Sequence, residues 1–588
     1  MKKCPQCGRE YDNTMMFCLD DGAELLYGPA SSEPGAVATG FASDEPRTAI
    51  LHETAPPNEP ATRAQIHTTE QTAVLPSGVE EVPRSSGFDR RLMIIPLALL
   101  IVALTGYFGY RYFGPFGSTQ INSIAVMPFE NRNSDADTDY LSDGLAESVI
   151  FRLTQIPDLR VSPTSLVMRY KGKDTDVAKI ASELGVDAVM TGRLTKRGDN
   201  LNITVELVDA RTNKSLWGEQ YERKLSELLT TQREIVTEIV GKLQLKLSGE
   251  SEQKLAKKYT DNPEAYQLYL QGRFHWNKRD TKEFEKAVVA FNRAIEVDPN
   301  FALAYSGLAD SLNLMPIYGD FRPKDFRPRA KQAALKALEV DPNLAEAHAS
   351  FGRILYDYEY DFAGAEKSLK RAIELDPNYA SAHQWYSELL LASSRHEEAV
   401  REITKAAELD PFSEIINWAM PEYLRRAGRT EEANLRFTKL KELIPNESPR
   451  HFWVVYSDFL YNLTGKNVWE VEGQTSFATA RVEPEDFAKL KEAYEKGGWD
   501  SYWLMRQQIR IERLNSRQAS DPNNYVRAID YAIAYALGRD KDKTIEYLNK
   551  AYDERPKYML EINVDKTWEF VRDDPRFKEL VKRVGIPE

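Results

Sequence analysis

Five proline-bearing turns recur in the second half of this 588-residue chain and constrain its fold more than any other feature. Asp298-Pro299-Asn300, Asp341-Pro342-Asn343, Asp376-Pro377-Asn378, Asp410-Pro411-Phe412 and Ile444-Pro445-Asn446 each close an amphipathic segment. The prolines stand 43, 35, 34 and 34 residues apart. A period of about 34 residues marks a helix–turn–helix unit that buries its apolar face only by stacking on neighbours. A superhelix of such units presents a long concave wall and no catalytic pocket by default. The spacing therefore points to binding before any single residue is read.

Small residues keep the same register. Ala380, Ala399 and Ala406 stand where two helices approach closely, with Tyr386, Leu390 and Ile403 as the larger knobs. The preceding unit places Ala345, Gly352, Ala365, Leu369 and Ala372 alike. The following one keeps Leu424, Ala433 and Phe437 but carries Pro421, which removes a backbone donor and predicts a kink. The 43-residue gap predicts an exposed loop over residues 316–328. Residues 263–445 resemble tetratricopeptide repeats. Helical patterning continues over 486–494, 501–514, 525–537 and 543–552, and a last helix at 577–584 is expected to cap the solenoid.

All three cysteines lie near the start. Cys4, Cys7 and Cys18 form two knuckles, each with a glycine close behind, in the manner of a small zinc ribbon. This part resembles the short zinc ribbons that begin many bacterial membrane proteins. Asp21 stands where their fourth cysteine would be. A structural zinc held by Cys4, Cys7, Cys18 and Asp21 is the expected metal site, and a ribbon that has lost its metal is the alternative.

Residues 27–89 have no helical or strand period and are rich in Pro, Ala, Thr, Ser and Glu, which predicts a disordered linker. Arg47-Thr48-Ala49-Ile50-Leu51 and Gln71-Thr72-Ala73-Val74-Leu75 recur within it. Threonine with an aliphatic residue three places on suits a phosphothreonine-reading partner; recurrence in a Thr-rich composition is the plainer account. Residues 92–110 then carry no charge, long enough to cross a bilayer. Arg84, Arg90 and Arg91 precede this span and Arg111 alone follows closely. That asymmetry predicts a cytoplasmic N-terminus and an exported C-terminal mass, as in a single-pass protein of a bacterial inner membrane.

Between the span and the repeats, SIAVMPF over 123–129 predicts a buried strand and 145–154 a helix. Residues 181–192 read as helix end, turn and strand, 201–208 as an edge-compatible strand, 215–221 as another strand, and 225–247 as a long helix. SIAVMPFEN, YLSDGLAESVIFRL, ASELGVDAVMTGRL and VELVDARTNKSLWGEQYER together resemble the TolB amino-terminal-like domain. The resemblance implies a setting between a membrane helix and repeats. Bacterial membrane kinases, some adenylate cyclases and membrane-anchored transcriptional regulators share that setting. The kinase parts are missing: there is no Gly-rich nucleotide loop, His-Arg-Asp catalytic loop or Asp-Phe-Gly triplet. The stretch before the span also lacks the length and periodicity of a winged helix.

The expected fold is thus multidomain: an α-solenoid of tetratricopeptide repeats preceded by a small α/β domain, a single transmembrane helix and a zinc-ribbon tip. Its bounds are 1–26 ribbon, 27–89 linker, 92–113 membrane helix, 121–250 α/β domain, 262–446 repeats and 447–588 degenerate helical repeats. A net charge of −13 with no long basic run argues against a nucleic-acid surface. His348 and His383 occupy equivalent places in successive repeats, and His396 lacks the second histidine of a zinc-protease helix. No nucleophile–base constellation is visible, so no catalytic residue is named and no enzyme is expected.

A membrane-anchored scaffold or sensor for a protein or peptide partner is the leading expectation. The alternative is a membrane-tethered transcriptional or signalling regulator acting through its cytoplasmic ribbon. An enzyme site within 121–248 is a third reading. The inward wall is expected at Ser306, Asp310, Arg353, Tyr356, Gln384, Glu388, Trp418, Glu422 and Arg425, whose mixed charge and aromatic character suits peptide binding.

Overall fold

Three parallel and two antiparallel strand pairings build the sheet that follows the apolar span. The computed structural model describes residues 2–3, 10–11, 26–27 and 121–587, except 134–135, 157, 174–175, 246, 412, 444–450, 465–481 and 521–524. The ribbon ligands, the linker with its threonine motifs and the 92–113 span fall outside the described residues. At the N-terminus, β1 (Lys2–Lys3) pairs antiparallel with both β2 (Glu10–Tyr11) and β3 (Leu26–Tyr27).

In the α/β domain, β4 (Ser123–Val126) lies parallel to β6 (Arg160–Val161) and β7 (Ala188–Arg197), and β5 (Glu130–Asn131) also pairs with β7. Ile124, Ala125 and Val126 are wholly buried, as a parallel strand covered on both faces requires. β8 (Asn200–Asp209) and β9 (Lys214–Lys224) extend the sheet antiparallel, giving the order β6-β4-β7-β8-β9. The 201–208 strand is therefore internal, and β6 and β9 lie at the edges. In β8, Leu201, Ile203, Val205 and Leu207 alternate onto one covered side. Gly192 of β7 is needed there, because a Cβ would come within 2.6 Å of the Phe129 ring.

Against the sheet lie α1 (Ala136–Thr154), the short α2 (Thr164–Met168), α3 (Val177–Leu184) and α4 (Leu228–Lys242). The long helix expected over 225–247 is α4 preceded by a 3-10 turn, Leu225–Glu227. α5 (Gly249–Ala256) leads from it to the repeats.

The repeats are helix pairs: α6 (Pro263–Asn277) with α7 (Thr281–Val297), α8 (Ala302–Tyr318) with α9 (Pro323–Val340), and α10 (Ala345–Ile354) with α11 (Phe362–Leu375). α12 (Ala380–Ala392) pairs with α13 (His396–Leu409), and α14 (Glu414–Arg426) with α15 (Thr430–Leu443). Each Asp of the ladder ends a helix. The N–H groups of Asp298, Asp341, Asp376 and Asp410 donate to Ala294, Ala337, Ala372 and Ala406. The carboxylates of Asp298, Asp341 and Asp376 then accept from the N–H two residues on, at 3.0, 3.2 and 2.9 Å. This local side-chain bond competes with continued helix, and the proline after it cannot rejoin the ladder.

A second device repeats six residues past the proline. His348 Nε2 lies 2.9 Å from Pro342 O, His383 Nε2 3.1 Å from Pro377 O, and Asn417 Nδ2 2.7 Å from Pro411 O. The histidine pair noted in the sequence is thus a turn staple. Between the first two units, the Phe291 ring sits so close to Gly272 and Gly307 that a Cβ at either would come within 2.6 or 2.5 Å of it.

The 316–328 segment is not a loop. Helix α8 runs through Pro316 to Tyr318, and α9 starts with Pro323 in its first turn. Phe321 and Phe326 are buried with ring centroids 5.0 Å apart, and Arg327 is 1% exposed. Proline is well tolerated at a helix start, and the aromatic pair draws the segment into the core. Helix α14 also continues through Pro421.

Beyond the ladder come α16 (His451–Thr464) and α17 (Phe487–Ser520), whose helical geometry breaks at Gly497 and Gly498. α18 (Ala528–Leu537), α19 (Lys541–Glu554), two 3-10 turns and α20 (Pro575–Val584) follow. The last helix, α20, packs on α19, where Arg583 Nη1 donates to Asn549 Oδ1 at 2.9 Å. Residues 528–586 do not simply stack beyond the preceding pair; they share one apolar core with 349–433. Tyr360 Oη donates to Pro556 O at 3.0 Å, and Arg426 Nη2 meets Glu561 Oε2 at 2.7 Å. The helices between them hold a separate aromatic core around Phe437, Tyr456, Leu460 and Tyr502.

Candidate functional site

Two of the repeat-ending turns grip the α/β domain, and a third grips the segment that leads from it to the repeats. Asn378 Nδ2 donates to Thr154 O at 2.9 Å, and Lys257 Nζ pairs with Asp341 at 2.5 Å. Ser165 Oγ makes a short hydrogen bond to the Asp410 carboxylate. Arg152 Nη1 donates to the carbonyls of Leu255 at 3.0 Å and Lys257 at 2.7 Å, tying α1 to the entry of the array. A cleft of about 1550 Å³ is left between α1, β6 and α2 on one side and the first helices of the repeats on the other.

At one end of this cleft, α6 presents Arg273 and Trp276, one helical turn apart on the same face. Arg273 Nη2 and Nε lie 2.6 and 3.0 Å from Glu147 Oε1 of α1. Asn277 Nδ2 donates to the other Glu147 oxygen at 2.8 Å. Arg273 and Arg279 both stack on Trp276, 4.5 and 3.6 Å from its ring centroid. Arg279 follows the helix end in left-handed backbone, φ 53°. Its guanidinium makes neither hydrogen bond nor ion pair among the described residues.

Two carboxyls of the wall feel burial most. Burial pushes Asp310 up to about 6, against the pull of Ser350, Arg273, Arg279 and Arg353. Burial also raises Glu346 to about 7, with Asp376 adding to the rise and Arg273 and Lys257 opposing it.

At the other end the charges close on each other. Arg353 Nε lies 2.7 Å from Asp357 Oδ2, and its Nη1 lies 3.0 Å from Glu388 Oε2. Lys557, from the C-terminal segment, makes a short ion pair with the same Glu388 oxygen. Burial pushes the Glu388 carboxyl up, but Arg353 and Lys557 outweigh it and hold it at about 2.

Of the nine expected wall residues, Arg353, Gln384 and Glu388 border the cleft. Ser306 and Asp310 are turned into the contact between successive first helices, where Ser306 Oγ meets Ser350 Oγ at 3.0 Å. Tyr356 is 1% exposed and donates to Glu388 O at 3.3 Å. Trp418 packs on the aromatic core of Phe437 and Tyr456. Glu422 is clamped by Arg425 and Arg426, both at 2.6 Å. As exposed wall, Ser306, Asp310 and Tyr356 are thus corrected: neighbouring helices and the returning C-terminal segment cover these positions, whereas Trp418 is half-buried. Sequence reading missed Glu147, Arg273, Trp276 and Arg279. The signal available was an arginine three residues before a tryptophan and another three after it, across a helix end.

A family model for the HilA/YgeH-like transcriptional regulator, second domain, matches residues 119–238, and a tetratricopeptide repeat model matches 358–417. The chain is 32% identical over 190 residues to "Putative adenylate cyclase 3" of Rhizobium meliloti (strain 1021), covering 32% of each chain. It thus spans about a third of that relative's length. Among solved structures, a thermophilic tetratricopeptide protein of Thermus thermophilus covers 36% of this chain and 96% of its own, at 20% identity and TM-score 0.24. YrrB, a tetratricopeptide protein with an unusual peptide-binding site, covers 34% and 94%, at 20% identity and TM-score 0.23. TolB from Acinetobacter baumannii covers 21% and 28%, at 19% identity and TM-score 0.16.

Proposed function

We propose that the tetratricopeptide repeat array and the small α/β domain joined to it together hold a protein or peptide segment in the cleft between them, as an interaction scaffold or sensor rather than an enzyme. The observation that carries this reading is the cleft itself, walled by repeat helices on one side and by α1 and α2 on the other. Its size suits several residues of extended chain, and its lining mixes aromatic and charged groups in the way of peptide-binding surfaces. Gln384→Trp would place an indole in the cleft. Pull-down by the full chain from native membranes is expected to lose its main partner in this variant, with the melting midpoint unchanged. A Gln384→Trp chain that keeps every partner would reverse the assignment.

The reading includes membrane anchoring through 92–113, with the N-terminus cytoplasmic and the repeats outside the inner membrane. Its support is the arginine asymmetry around the span. A reporter active only outside the cytoplasm, fused after Glu588, is expected to be active, and inactivity there with activity of a cytoplasmic reporter would invert the topology. The α/β domain is read as TolB amino-terminal-like. The ribbon is read as holding one structural zinc through Cys4, Cys7, Cys18 and Asp21. The pairing of Lys3 with Glu10 joins the chain on either side of Cys4 and Cys7, as a knuckle requires. Elemental analysis of a reduced peptide spanning the ribbon tests the metal.

A second reading, a membrane-tethered transcriptional or signalling regulator, is favoured by the regulator-domain match over 119–238. In that case ligand occupancy of the cleft would be relayed to the cytoplasmic ribbon. Deleting the ribbon separates the two: a scaffold keeps its cleft partner and its output, whereas a regulator keeps the partner and loses a transcriptional response.

A further inference from the structure

Trp276 is stacked by two guanidiniums, and they are in different states. Arg273 is occupied: the Glu147 carboxylate reaches it at 2.6 and 3.0 Å while the guanidinium rests on the indole. Arg279 also rests on the indole, at 3.6 Å, and borders the cleft, yet none of its side-chain donors is used among the described residues. Stacking fixes the plane of a guanidinium and leaves its edge free for a forked, bidentate contact. The molecule thus displays, one helical turn away, what such a group accepts.

We infer that Arg279 is the anchor of the cleft for a carboxylate carried by a peptide, received as Arg273 receives Glu147. This rests on the peptide-cleft reading above and names the chemistry of the ligand within it. A carboxylate is favoured over a phosphate by charge. Asp310 lies within the field of Arg279 without pairing to it. A single carboxylate is neutralised by the Arg279 guanidinium. A phosphate dianion would leave its second charge to face Asp310. Beside Arg279, Arg273 and Lys278 already have carboxylate partners in Glu147 and Glu283 and are not free to compensate it.

The test uses the full chain in mild detergent and a displayed random-peptide library. The unaltered chain is expected to enrich peptides bearing Asp or Glu at a fixed place. A selected peptide should bind Arg279→Gln roughly ten- to a hundredfold more weakly, the range for a charge-assisted hydrogen-bond pair. Replacing the acidic residue of the peptide by its amide should cost the same, and the two changes together little more than either, because they remove one contact. Arg279→Lys, which keeps charge but not the fork, should fall between. Enrichment without acidic residues, or acidic peptides indifferent to Arg279→Gln, would overturn the anchor and leave the cleft reading standing. Tighter capture of a phosphoserine library would overturn the carboxylate. Selection of no peptide at all would remove the cleft reading and the anchor with it. Should Arg279→Gln fail to fold, Arg279→Lys and the peptide-side replacement still decide.

Discussion

The repeat wall meets another part of the chain at both ends of the cleft, and the two meetings differ in how completely charge is answered. At the Glu388 end, Arg353, Asp357, Glu388 and Lys557 neutralise one another, with Arg353 and Asp357 at 4% and 0% exposure. At the Trp276 end, Glu147 satisfies Arg273 and Asn277 and leaves Arg279 with only an aromatic face. The closed end has the form of a structural clasp, where losing one partner strands another in a dry site. The open end keeps a donor in reserve.

The largest expected effect breaks the closed end. Asp357→Ala should destabilise the full chain by about 3–5 kcal/mol, because Arg353 would keep its burial and lose its nearest carboxylate. Urea unfolding checks this, and a loss below about 1 kcal/mol would show that the clasp is not closed. Next is the acid limb of the same cluster. The Glu388 carboxyl is depressed to about 2, so its stabilisation is present above the ordinary glutamate range and is lost as pH falls toward 2. Glu388→Gln should remove about 2–3 kcal/mol at neutral pH and flatten that limb of the pH–stability curve.

The open end should respond in the opposite direction. Burial raises Glu346 to about 7 and Asp310 to about 6, so the folded state holds these protons more tightly than the unfolded one. Stability is then greatest at acid pH and is lost as pH rises from the ordinary carboxylate range through about 7. Glu346→Gln should recover about 2 kcal/mol at pH near 8 and leave acid stability unchanged. Thermal unfolding across that window is the measurement, and an unchanged slope would remove Glu346 from the account. The smallest effect is at the junction itself. Glu147→Gln should cost about 1–2 kcal/mol, since Arg273 keeps a neutral acceptor in place of an ionised one. Hydrogen exchange of α1 should rise selectively, and uniform protection would mean that the junction does not hold α1.

What could be read from the residues follows how local the cause is. Asp298, Asp341 and Asp376 end helices through bonds to their own turns, so the ladder is legible in the residues alone. So are the strand of 123–126 and the start of β7, where Ala188, Val189 and Met190 form a wholly buried apolar run. The 316–328 segment misled because its prolines read as breakers, whereas Pro323 sits where helices tolerate proline and Phe321 with Phe326 supply the packing. The wall misled for another reason. Repeat register tells which face of a helix turns inward, but not what third element arrives to cover it. Nothing near Tyr360 announces Pro556, and nothing near Glu147 announces Arg273.

The core shared by residues 349–433 and 528–586 also sets an order in time. A ribosome releases the middle repeats long before α18 to α20 exist. Tyr360 waits almost two hundred residues for Pro556, and Arg426 waits well over a hundred for Glu561. During that interval the apolar face later covered by Ile529, Ile533 and Leu548 has no intramolecular mate. Nascent chains in this state are the ones that chaperones hold and proteases sample. A segment made long after the middle repeats is therefore the one that completes them, and a premature stop just before α18 would cripple repeats translated far upstream of it.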